Sequence, residues 1–158
     1  MMSFPVQDTS LTHMNRKAQA LQKDIPAVLV CDLAEVRHVT VMVKRIAKPV
    51  LLVTETEACA RLGPGFLLAM TGGDGQRPDL VRALIDCGSD AGYAMLALRL
   101  GWREIHVTGA PESVVRIGEM TEAAGGRFHA ILPVTFNFAE SGPVDQRLED
   151  WLIGDASN

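Results

Sequence analysis

The stretch Leu84-Ile85-Asp86-Cys87-Gly88-Ser89-Asp90-Ala91-Gly92-Tyr93-Ala94-Met95-Leu96-Ala97-Leu98-Arg99-Leu100-Gly101-Trp102-Arg103-Glu104-Ile105-His106-Val107-Thr108-Gly109-Ala110-Pro111 decides the fold. It reads strand, helix, strand. A short apolar run ends in Asp86-Cys87-Gly88, and Ser89 stands where a helix N-cap is expected. The helix is apolar almost all round and stops at Gly101. Ile105-His106-Val107 is then the next strand. A helix with so little polar surface calls for cover on more than one side, as in the middle of a layered α/β domain.

Working back from this unit, Ala27-Val28-Leu29-Val30-Cys31 and Val50-Leu51-Leu52-Val53 are continuous apolar runs, the mark of strands buried on both faces. Asp32 follows the first run and Thr54-Glu55-Thr56 ends the second. Leu33 to Lys48 is read as a helix, because Lys44, Arg45 and Lys48 suit its carboxyl end. Val36, Val39, Val41 and Val43 leave two strands as the competing reading. Glu57–Leu62 and Phe66–Met70 are short helices on either side of Gly63-Pro64-Gly65. Thr71–Pro78 is the clearest loop. Upstream, Ser10–Lys23 has helical spacing and residues 1–9 are loose.

Working forward, Pro111–Ala124 is a helix, Phe128–Leu132 a fifth strand, and Val134–Phe138 either an edge strand or a loop. Residues 143–153 form an amphipathic helix with Val144, Leu148, Trp151 and Leu152 on one side, expected to dock on its own domain. The expectation is one α/β domain over residues 1–158. It is a three-layer open sheet of about five mostly parallel strands with helices on both faces, doubly wound and Rossmann- or flavodoxin-like.

Composition narrows the function classes. A net charge of −4 over 158 residues, with no basic run, speaks against nucleic-acid binding. No apolar stretch approaches the ~20 residues of a membrane span, and the amino terminus lacks the pattern of a secretory signal. Cys31, Cys59 and Cys87 are widely spaced without a CxxC pair, which suits free thiols in a reducing cytoplasm. The chain lacks GxGxxG, Walker, GxSxG and HExxH patterns and any lysine after Lys48.

In open parallel sheets ligands bind beyond the carboxyl ends of the strands. Candidate ligand-binding residues are therefore Asp32, Thr54, Asp86, Ser89 and Thr108. In the order 2-1-3-4-5, Asp32 and Asp86 would share one crevice, where two carboxylates could hold a hard cation such as magnesium. Each could instead cap the helix that follows. Gly88-Ser89-Asp90-Ala91-Gly92 opens a helix where an anion could sit, although Asp90 opposes one. Cys87, near a helix amino terminus, and the histidines His106 and His129 are read as packed core groups.

The placement of Asp32, Asp86 and Thr108 after the first, third and fourth strands, with Ile131-Leu132-Pro133 ending the fifth, resembles response-regulator receiver domains. The resemblance implies the outline of the sheet and a phospho-accepting carboxylate. It departs from the family in having a single acidic residue after the first strand, Leu132 where a lysine precedes the proline, and a short interval from Asp86 to Thr108. The function expected is a cytoplasmic, non-catalytic binding or regulatory module, self-associating as a homo-oligomer, with a small-molecule or anion ligand. No particular cofactor is indicated, and nucleic acid and membrane are not expected partners. The rival is a small-molecule enzyme, or a degenerate receiver-like domain, using the strand-end carboxylates.

Overall fold

A computed structural model describes residues 25–73 and 75–154. In chain order the elements are β1 (Ala27–Val30), α1 (Leu33–Ile46), β2 (Val50–Thr54), α2 (Ala58–Leu62), α3 (Pro64–Met70) and β3 (Val81–Asp86). Then come α4 (Ala91–Leu100), β4 (Glu104–His106), α5 (Pro111–Ala123), β5 (Arg127–Phe128), β6 (Thr135–Phe136) and α6 (Val144–Ile153). The expected α/β architecture is present. The sheet is all parallel, with six strands rather than about five, in the order β5-β4-β3-β2-β1-β6.

That order corrects the 2-1-3-4-5 arrangement: β2, not β3, lies beside β1. From β1 to β5 every connection steps the same way along the sheet, so right-handed crossovers place the connecting helices on one face. The packing agrees. Residues of all six described helices join one core cluster with Val28, Val30, Val50, Leu52, Ile85 and Ile105 from alternate strand positions. The helix expected over Ser10–Lys23 lies outside the described residues.

The Leu33–Lys48 segment is helical to Ile46, in spite of its valines. β-Branched residues cost a few tenths of a kcal/mol each in a helix, whereas burying one contributes about 1.5–3 kcal/mol. Val36, Val39, Met42 and Val43 lie buried along one stripe. Ala47 closes the helix in the left-handed region, at φ 54°.

The step from β5 to β6 runs the other way and must cross the opposite face. Five strand spacings amount to roughly 24 Å, which the seven steps from Phe128 to Thr135 cover only when nearly extended. The expected fifth strand over Phe128–Leu132 is accordingly cut to Arg127–Phe128. Beyond it the chain leaves the sheet as a strap, residues 129–134. Leu132 packs with Ile25 against Ala27, Leu51, Val53 and Leu84, the buried residues of the face opposite the described helices. Val134–Phe138 resolves as the edge strand β6, Thr135–Phe136, followed by loop.

The carboxyl-terminal helix docks on its own domain. Leu148 and Leu152 enter the core, and the Trp151 Nε1–H donates to the Ala27 carbonyl at 2.9 Å. Arg147 lies over the Phe136 ring at 4.8 Å and donates to the carbonyls of Asn137 and Glu140. On the far side of the helix layer, the buried Trp102 donates to the Pro64 carbonyl at 2.9 Å, tying the turn after α4 to α3. Because Leu148 is fully enclosed, Leu148→Ala is expected to lower unfolding free energy by about 2–5 kcal/mol. Urea titration followed by circular dichroism measures it, and a loss below ~0.5 kcal/mol would mean that α6 is not part of the core.

Candidate functional site

At the carboxyl ends of β1, β2 and β3 a cavity of about 340 Å³ opens beneath the strap. Leu29, Val53, Leu132 and Pro133 form its apolar wall, and Thr54, Glu55, Thr56, Glu57, Asp86 and Thr135 its polar lining. The strap and the β2 exit loop therefore build the cleft between them. Its lining holds three carboxylates and no basic side chain.

Asp86 is the fixed point of this cleft. It is 1% exposed and ends β3. Its Oδ2 accepts from the Thr56 hydroxyl at 2.5 Å and its Oδ1 from the Gly88 N–H at 2.9 Å. Its own N–H donates to the Thr54 hydroxyl oxygen at 3.1 Å. Gly88 follows in the left-handed region, at φ 59°, which lets the turn curl back onto the carboxylate. The result is a tight clamp joining β2 to β3, with both carboxylate oxygens engaged.

The structure thus brings Thr54 and Asp86 together and leaves the other three candidates elsewhere. Asp32 lies across β2 and does not line the cleft. It is the N-cap of α1, its Oδ1 accepting from the Glu35 N–H at 2.9 Å, while Glu35 accepts from the Cys31 N–H at 2.7 Å. The shared crevice for Asp32 and Asp86 fails with the strand order that would have formed it. Asp86 caps no helix, and the N-cap of α4 is Asp90 rather than Ser89, with Oδ1 accepting from the Tyr93 N–H at 3.1 Å. Ser89 is exposed one residue earlier. Thr108 is exposed at the end of the β4 segment, its N–H and hydroxyl both donating to the Gly88 carbonyl at 2.7 and 3.1 Å. It supports the Asp86 turn from the far side.

The sequence reading missed Thr56, the acidic exit Glu55 and Glu57, the strap residues Leu132 and Pro133, and Thr135 of β6. The Thr-Glu-Thr-Glu alternation after a buried strand was the available signal for the first three. Nothing local announces the strap, because its position follows from a return across the whole sheet.

Beside the cleft, the face opposite the described helices carries a polar network. Arg82 on β3 grips Glu104 on β4 with two hydrogen bonds, of 2.5 and 2.7 Å, and His129 Nε2 donates to the same carboxylate at 2.7 Å. His106, paired in register with Asp86, donates from Nδ1 to the His129 carbonyl at 2.7 Å. The two histidines are therefore satisfied core groups at the root of the strap. Burial pushes the Glu104 carboxyl up, but the His129 and Arg82 hydrogen bonds and the Arg82 charge outweigh it and hold it down to about 2.

The cysteines divide by position. Cys59 and Cys87 are buried beneath the helix layer, and a hydrogen bond between them, reinforced by burial, pushes the Cys87 thiol up. Cys87 is thus the reverse of an activated thiol. Cys31 is exposed, yet partial burial and the carboxylates of Glu35 and Glu55 raise it to about 11. Among the described residues no group of three or more His, Cys, Asp or Glu is placed to hold a metal ion. No described helix is long and apolar enough to cross a membrane.

The chain matches no protein-family model and no curated protein sequence. Two departures from receiver domains also stand in the geometry: β2 separates the strands that carry Asp32 and Asp86, and Leu132 sits on the strap instead of ending β5.

Because Glu104 is held below its ordinary 4.5 in the folded chain, its contribution is complete above that pH and fades as pH falls toward 2. The stability gap between the native protein and Glu104→Gln should therefore be widest above pH 4.5 and narrow steadily below it. Denaturant titrations at several pH values check this, and a gap that widens on acidification would contradict it.

Proposed function

We propose that the protein is a non-catalytic small-molecule binding or regulatory module whose ligand enters the cleft between the strap and the carboxyl ends of β1–β3. The supporting observation is the cavity itself: apolar on the Leu29, Val53 and Leu132 side, lined opposite by hydroxyls and three carboxylates. Such a lining repels anions and favours a small molecule with an apolar body and an amine or hydroxyl head. The anion considered from the sequence is accordingly the weaker ligand class. A non-catalytic role is favoured because Asp86 is almost fully buried and held on both oxygens by Thr56 and Gly88. A general base must lie within reach of substrate. A cytoplasmic setting fits the free thiols.

The test is thermal unfolding of the full chain with choline, n-butylamine, glycerol and inorganic phosphate as separate probes. The reading expects a rise of a few degrees with an amine probe, at about 2–4 °C per kcal/mol, and none with phosphate. In Glu55→Gln/Glu57→Gln the amine shift should shrink while the unliganded midpoint stays in place. A phosphate shift, or an amine shift indifferent to both glutamates, would refute this ligand class.

A further inference from the structure

The helix layer has an outer face that the described residues leave uncovered. Leu62 on α2, Phe66 on α3, and Met95, Leu96 and Leu100 on α4 are all exposed, Phe66 at 57%. They form one patch. α3 packs on α4, and a Cβ built at Gly65 would come within 3.7 Å of the Leu100 side chain. α2 packs on α3, and Leu96 and Leu100 are one helical turn apart on α4. This explains why α4, apolar almost all round, buries only Ala94 and Ala97 fully. Clusters of this kind on a soluble surface mark contact sites.

Charge identifies the occupant. α4 and α5 follow parallel strands on the same face, so their amino termini lie at one end of the layer. Exposed Asp90 and Glu112 stand at that end, and exposed Arg99, in the last turn of α4, stands at the other. Arg99 and Glu112 form no ion pair among the described residues. A surface that is acidic at one end, apolar in the middle and basic at the other is complementary to itself after a half-turn. We propose that this face joins two copies of the chain through a twofold interface in which α4 packs antiparallel on α4 of the second copy. Leu96, midway along the helix, lies at the axis, and Arg99 of each copy meets Asp90 and Glu112 of the other. Antiparallel packing also sets the helix dipoles head to tail.

The experiment is sedimentation velocity with light scattering on the full chain, from low to high micromolar concentration. The native protein is expected to dimerise. Leu96→Glu/Leu100→Glu is expected to be monomeric with an unchanged circular dichroism spectrum, since both positions are exposed. Arg99→Glu is expected to raise the dissociation constant about tenfold or more. In a Cys31→Ser background, Leu96→Cys should form an intermolecular disulfide with oxidised glutathione, and Ser113→Cys should not. A native chain that stays monomeric, or a dimer unaffected by the two α4 glutamates, overturns the proposal. A dimer that leaves Leu96→Cys uncrosslinked overturns the antiparallel geometry. None of these outcomes bears on whether the cleft binds a ligand.

Discussion

The return of the chain from β5 to β6 is the constraint on which the remaining features depend. Five strands laid down in one direction put their crossovers on one face, and a sixth strand beyond β1 can be reached with the same handedness only over the other. Six residues are barely enough for that span, so the segment is pulled straight. Taut, it seats Leu132 on Leu51, Val53 and Leu84 and holds Pro133 over the exit of β1 and β2. The cleft exists because something must cross there.

The two ends of the strap are held by different forces. At its start, His129 and His106 are tied into the Arg82–Glu104 pair, a network in which a buried carboxylate has an opposite charge and several donors. At its finish, apolar contact dominates: Phe136 packs edge-on against Phe138, Trp151 stands nearby, and Arg147 covers the ring. A His38–Asp145 hydrogen bond and the surface ion pair Arg45–Glu149 steady α6 on α1. Exposed pairs of this sort contribute little beside the burial of Leu148 and Leu152.

Much of the fold was legible in the residues. Uninterrupted apolar runs at Ala27, Val50 and Leu84 identified enclosed parallel strands, and capping groups and glycines punctuated the helices between them. Strand order was not legible, because the same βα alternation serves several windings, and only long-range packing selects one. That single unknown carried the site with it. Thr54 and Asp86 stayed together since their strands are neighbours in the actual order, whereas Asp32 was separated by β2 and returned to capping duty. Ser89 and Asp90 are both good caps, and one residue of chain geometry decided between them. The strap escaped notice since its sequence, Ala130-Ile131-Leu132-Pro133-Val134, is as apolar as a strand and differs only in leaving its ladder.

The most direct measurement is methyl nuclear Overhauser spectroscopy on the chain with labelled leucine and valine. The account requires cross-peaks from Leu132 methyls to Leu51, Val53 and Leu84, because the strap crosses the face opposite the described helices. Cross-peaks from Leu132 to Val28 and Leu52 instead would put that segment on the helical side. The winding, the strap and the cleft would then fall together.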